Sequence, residues 1–175
     1  LVIAILFTGA GFCGQPLHGQ TAPGSQALPA VPINAVRLLV QGGVSTPVEL
    51  SREDIQKLSR VDERVKDRDG HEVVYSGTPL VEVLRAAGMK LDPSAMPSRE
   101  AVDSYVLVRA RDGYKAIFAL AEIDPALSSQ MILLADTKDG QPLTAAEGPW
   151  RIVVAADKRP ARWVRQVTTI SVNQG

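Results

Sequence analysis

The spacing of apolar and polar residues changes several times along this chain, and each spacing predicts an element. Val36, Leu38 and Val40 alternate with Arg37, Leu39 and Gln41, the period-two pattern of a strand, which Gly42-Gly43 ends. Ser51 to Ser59 predicts a short helix with Ser51 as N-cap, Asp54 at N3, and Leu50 and Ile55 placed as a hydrophobic staple. A second helix follows Tyr75. Thr78 caps it, Pro79 takes the first position, Gly88 closes it, and Leu80, Val83, Leu84 and Ala87 share one face. Pro93 to Arg99 reads as a loop.

Asp69-Gly70, Asp112-Gly113 and Asp139-Gly140 punctuate the middle of the chain. Asp-Gly favours the type I′ turn, in which both central residues take positive φ. Around the second pair, Tyr105 to Arg111 enters with Val106, Val108 and Ala110 on one face, and Tyr114 to Ala119 leaves, which predicts a hairpin with a two-residue turn. Met131 to Ala135, Arg151 to Ala155 and Trp163 to Val172 supply further strands. The expected fold class is therefore α+β: β-rich mixed sheets with antiparallel hairpins and a few short helices.

The first 36 residues contain no Asp, Glu, Lys or Arg. Leu1 to Phe7 is apolar and Gly9, Ala10 and Gly11 are small, the pattern of a secretory signal whose start lies further upstream. The expected organisation is a signal peptide over about 1–22, a flexible linker over 23–34 and one domain over 35–175. A periplasmic or secreted location follows, with no transmembrane segment in the mature form. Cys13 is the sole cysteine, so no disulfide can form within the chain. Bulky Phe12 before Cys13 disfavours the alternative of lipoprotein anchoring at that residue.

Charge is balanced, 19 basic against 19 acidic residues, which gives no bias toward nucleic acid. After the leader the only histidine is His71, beside the first Asp-Gly pair, an exposed hairpin tip more readily than a catalytic base. No Gly-x-Ser-x-Gly elbow, paired-histidine zinc pattern or Gly-rich phosphate loop occurs. Glu122 and Asp124 precede Pro125 and read as a loop or a short cap rather than a catalytic pair. One region is electrically distinct: Arg151, Lys158, Arg159, Arg162 and Arg165 are opposed only by Asp157. Guanidinium and ammonium groups on a loop at a strand end can form an anion site, although a solvated basic loop would look the same. Trp150 and Trp163 flank it, placed either to stack on a planar heterocycle or to fill the core.

Five segments together resemble a known family. Tyr75-Ser-Gly-Thr-Pro-Leu through Ala87-Gly88, Asp112-Gly113-Tyr114 with Leu120, Leu133-Leu134-Ala135 with Asp139-Gly140-Gln141-Pro142-Leu143, Gly148-Pro149-Trp150-Arg151 through Val154, and Arg162-Trp163-Val164-Arg165 are similar, in that order, to segments of the sulfite-oxidase-type molybdopterin-binding domain. The resemblance spans Val36 to Val172. It implies a molybdenum–pterin cofactor in a basic cleft and oxygen-atom transfer on sulfite or sulfoxides, with the cofactor carrying the redox chemistry. It implies that Arg151, Lys158, Arg159, Arg162, Trp163 and Arg165 contact the cofactor or an anionic substrate, and that a periplasmic redox partner exists. It also implies a molybdenum-ligating cysteine upstream of the Tyr75 segment. Ser59 to Tyr75 has none, so no metal ligand is assigned there; His71 or Asp69 could replace it in principle. Three functions stay open: a molybdopterin-binding, oxidoreductase-like domain, an exported module that keeps the fold without the cofactor and binds an anion or a protein, or a structural or interaction domain with no small ligand.

Overall fold

The alternating segments assemble into two five-stranded sheets in the computed structural model, which describes residues 36–66, 70–92, 94, 96 and 99–175. The expected signal peptide with Cys13, the expected linker over 23–34 and Asp69 lie outside the described residues. Strands β1 (Leu38–Gly42), β2 (Val48–Leu50), β5 (Ser104–Ala110), β6 (Lys115–Ala119) and β10 (Val167–Gln174) form the first sheet in the order β2-β1-β10-β5-β6. β1 and β10 run parallel, and the other pairings of this sheet are antiparallel. Strands β3 (Val61–Lys66), β4 (Glu72–Pro79), β7 (Leu133–Lys138) and β8 (Gln141–Pro142) form the second, and β9 (Arg151–Val153) also pairs with β7. Short helices α1 (Arg52–Gln56), α2 (Leu80–Ala86), α3 (Arg99–Asp103) and α4 (Leu120–Ile123) complete a mixed α+β fold.

The side-chain period of two decides where the core sits. From the first sheet Leu38, Val40, Val106, Val108, Phe118 and Ile170 point inward and join Leu80, Val83 and Leu84 of α2 in one cluster. β7 is buried on both faces: Leu134 belongs to this main cluster, whereas Leu133 and Ala135 belong to a smaller one with Val65, Val73, Tyr75 and Val153. That is why Leu133 to Ala135 reads as a continuous apolar run. Asp136 is the next residue and is also buried; it is held by both terminal nitrogens of Arg60, at 2.6 and 3.0 Å. The hydrogen bond to Asp136 is the main reason the Arg60 pKa is raised.

Several local expectations change. Ser51 does cap α1 through a reciprocal box with Asp54, but the helix stops at Gln56 instead of reaching Ser59. Thr78 does not cap α2. It remains in β4, paired with Leu134, and its hydroxyl donates to the Ile55 carbonyl at 3.3 Å, so Pro79 precedes the helix and no side chain caps it. Asp112-Gly113 is not a type I′ turn, because only Gly113 takes positive φ (88°). Asp112 instead accepts from the Tyr114 amide at 2.9 Å, an Asx turn inside a four-residue loop between β5 and β6. Asp139 and Gly140, by contrast, both take positive φ (48° and 75°). The last strand begins at Val167, not Trp163: Pro160–Arg162 form a 3-10 turn, and Gln166 at φ 49° breaks the extended run.

Gly77 is fixed by a close approach. A Cβ there would stand 2.2 Å from the Leu134 carbonyl oxygen, where β4 shifts register against β7.

Candidate functional site

The smaller apolar cluster forms the floor of a cleft. Tyr75 of β4 is 2% exposed, and the Trp163 ring meets it edge-on at 6.1 Å between centroids. Gly77, Ala135 and Arg151 are register partners across β4, β7 and β9, so small residues flank the start of the Arg151 side chain. The Arg151 guanidinium carbon lies 5.3 Å from the Tyr75 ring centre and 5.5 Å from that of Trp163, within cation–π range of both. Nη1 donates to the Tyr75 hydroxyl at 3.1 Å and is ion-paired with Glu147. Arg151 Nε is buried and has no acceptor among the described residues. Trp163 is anchored from behind by its indole N–H, which donates to the Val154 carbonyl at 3.1 Å.

Above this floor the cleft encloses about 840 Å³, within the roughly 300–1,000 Å³ range of small-molecule sites. Lys66 and Lys138 line it from the ends of β3 and β7, and Lys138 Nζ lies 5.7 Å from the Tyr75 ring centre. Exposed Lys158, Arg159 and Arg165 line it from the segment between β9 and β10. Asp112 and Tyr114 reach it from the β5–β6 hairpin, and the Tyr114 hydroxyl donates to the Ala161 carbonyl at 2.6 Å. Six basic side chains thus face three carboxylates, Asp112, Glu147 and Asp157. Two of those carboxylates are bound to arginines, Glu147 to Arg151 and Asp157 to Arg162.

Five of the six residues singled out from the sequence, Arg151, Lys158, Arg159, Trp163 and Arg165, share this cleft. Arg162 does not line it. Its guanidinium turns to Asp157, at 2.7 and 3.1 Å, and to Glu122 of α4 at 2.8 Å, and lies 4.8 Å from the centre of the Phe118 ring. Those hydrogen bonds, Asp157 foremost, hold its pKa further above the ordinary arginine value. Trp150 is fully buried in the main core, the second of its two sequence readings. His71 is exposed, beside Gly70 at the β3–β4 hairpin. Asp124 is buried, and its carboxylate accepts from the Ala126 amide at 2.9 Å.

Sequence reading missed Lys66, Lys138, Tyr114 and Glu147, which reach the cleft from separate elements, and Tyr75 as a site residue. Tyr75 carried a signal, as the aromatic that opens the Gly77-Thr78-Pro79-Leu80 segment. Tyr114 carried one too, as the aromatic of the Asp112-Gly113-Tyr114 segment, whereas Lys66, Lys138 and Glu147 carried none, because single charges at strand ends and in turns are ordinary in any sheet protein.

Among the described residues no helix is long and apolar enough to cross a membrane, and no group of three or more His, Cys, Asp or Glu is placed to hold a metal ion. No curated protein sequence matches the chain. Among solved structures, the sulfane dehydrogenase SoxCD from Paracoccus pantotrophus is similar in fold, with a TM-score of 0.65 at 17% identity over 83% of this chain. The matched region is 40% of that chain, so the likeness covers less than half of it. Residues 64–175 match the family described as the oxidoreductase molybdopterin binding domain, well over half of the sequence and every strand from β4 onward. The two-sheet fold, the basic cleft and this match agree: the chain belongs to the oxidoreductase molybdopterin-binding domain family.

Proposed function

We propose that this is an exported, periplasmic, oxidoreductase-like domain whose cleft binds the pterin and phosphate of a molybdopterin-type cofactor without a protein thiolate on the metal. The observation that carries the reading is the Tyr75–Arg151–Trp163 floor beneath a basic rim. Tyr75, Tyr114 and Trp163 offer aromatic surface to a planar ring, and Lys66, Lys138, Lys158, Arg159 and Arg165 offer charge to a phosphate. Arg151 Nε, a buried donor with no acceptor among the described residues, suits an anionic oxygen brought to the floor.

The fit ends at the metal. From Gly14 onward the chain has no cysteine. Of the polar groups lining the cleft, the Tyr75 hydroxyl accepts from Arg151, the Tyr114 hydroxyl donates to Ala161, the Asp112 carboxylate accepts from the Tyr114 amide, and the carboxylates of Glu147 and Asp157 are ion-paired. Such a cofactor supplies two-electron redox chemistry when bound. The chain's own residues bind the anion, orient the ring against Tyr75 and Trp163, and fix the Arg151 guanidinium in place through its ion pair with Glu147. Reading the chain as a cofactor-free anion-binding module uses the same cleft and differs only in whether pterin is present. An acidic redox partner would meet the same cationic rim.

Expression with an intact leader in a host that makes the cofactor tests this. Pterin fluorescence released on denaturation, recovered from the periplasmic fraction and lost in Arg151→Ala, supports the reading. A periplasmic protein free of pterin at every loading supports the cofactor-free module, and retention in the cytoplasm removes the export claim.

A further inference from the structure

Arg162 was expected to meet the ligand, yet it faces away from the cleft, and its position suggests a different role. We propose that Arg162 is a positioning residue. It locks the 157–165 segment against α4 and β6 and neutralises Asp157 from behind, so that Lys158, Arg159 and Arg165 are presented to an anion as a preset clamp. This rests on the cleft being an anion site, as argued above.

Three observations carry it. First, every nitrogen of the Arg162 guanidinium is already engaged away from the cleft: Nε and Nη2 donate to the two oxygens of Asp157 at 3.1 and 2.7 Å, and Nη1 donates to Glu122 at 2.8 Å. A bidentate fork of this kind fixes orientation as well as charge. Second, Asp157 lines the cleft among cations, and its side chain is only 13% exposed. Without Arg162 its carboxylate would repel an incoming anion or bind Lys158 or Arg159 itself. Third, the segment is tied down at further points. The Tyr114 hydroxyl holds the Ala161 carbonyl, the Trp163 indole holds Val154, and the Arg162 guanidinium packs on the Phe118 ring of β6. The three exposed cations therefore hang from a braced turn, and the ordering cost of binding is met before the ligand arrives.

The test measures binding of inorganic pyrophosphate by calorimetry to wild type, Arg162→Ala, Lys158→Ala and the double variant, across a range of salt. The expected loss for Arg162→Ala is about tenfold in affinity. The slope of log affinity against log salt should stay at the wild-type value, because no ligand contact is removed. Lys158→Ala should cost less in the Arg162→Ala background than alone, because the clamp is already loose. Glu122→Gln, which keeps the Asp157 fork, guards against a folding defect and should fall between wild type and Arg162→Ala. Independent losses in the double variant, with a shallower salt slope, would mean that Arg162 touches the anion and would overturn the proposal; an unchanged affinity in Arg162→Ala would do the same. If wild type binds no pyrophosphate, the cleft reading fails, and hydrogen exchange still decides the clamp. Faster exchange at the amides of Ala161 and Trp163 in Arg162→Ala upholds it, and unchanged exchange refutes it.

Discussion

The floor and the rim of the cleft are built by opposite rules. The floor is cross-linked, buried at Tyr75 and half-buried at Arg151, Trp163 and Glu147, and each of the four contacts another member. The rim is a set of lysines and arginines on hairpin ends and on the segment after β9, exposed at Lys66, Lys158, Arg159 and Arg165 and half-buried at Lys138. A change in the floor is felt by both stability and binding. A change at the exposed rim residues is felt by binding alone, since exposed charges far from any buried feature alter stability by roughly 0.5 kcal/mol or less.

The largest expected effect lies under the floor. Gly77→Ala drives a Cβ to within 2.2 Å of the Leu134 carbonyl, and the backbone of β4 or β7 must move. Destabilisation of about 3 kcal/mol or more is expected in chemical denaturation; a wild-type midpoint would show that the β4–β7 contact is looser than described. Next is Arg151→Ala, which strands Glu147 and removes the cation between two rings. It should cost about 2–3 kcal/mol and abolish anion binding. Loss of binding with no loss of stability would place Arg151 on the rim side of the comparison.

Lys158→Ala and Arg165→Ala sharpen the contrast from the other side. Each should leave the melting temperature unchanged, weaken pyrophosphate binding by about three- to tenfold, and lower the salt slope by about one ion. A drop in stability in either variant would break the distinction between rim and floor.

The smallest effect concerns a cap remote from the cleft. Hydrogen bonds from the Ser51 side chain and backbone hold the Asp54 carboxyl below its usual pKa. A carboxylate with a depressed folded-state pKa stabilises above its unfolded value, and loses that contribution as pH falls through the folded value. The stability gap between wild type and Asp54→Asn should therefore shrink on acidification, with binding unaffected. A gap that stays constant into strong acid would contradict the cap.

How far the sequence told this story also follows the floor and the rim. Strand alternation around Val106 and Val108, the Leu80–Val83–Leu84 face and the Ser51 cap were legible because local spacing reports burial. Thr78 misled because a residue at a strand-to-helix junction satisfies both signatures, and only pairing with Leu134 decides between them. Trp163 misled in the same way: its alternation with Val164 and Arg165 mimics a strand, while the backbone there turns between the two sheets. On the site, a charge-rich segment gave Lys158, Arg159 and Arg165 directly. The orientation of Arg162 was invisible, since its partner Glu122 lies forty residues away, on α4. Lys66 and Lys138 likewise join the rim only through the pairing of β3, β4 and β7.

The most direct measurement is a map of where a pterin phosphate sits on the protein. Chemical-shift perturbation of isotopically labelled protein, titrated with such a ligand, should move the Trp163 indole and the amides at Tyr75 and Arg151 together with those of Lys158 to Arg165. Shifts confined to the second cavity of about 590 Å³ beside Met89 and Leu91, or no saturable shifts at all, would contradict the assignment of this cleft as the ligand site.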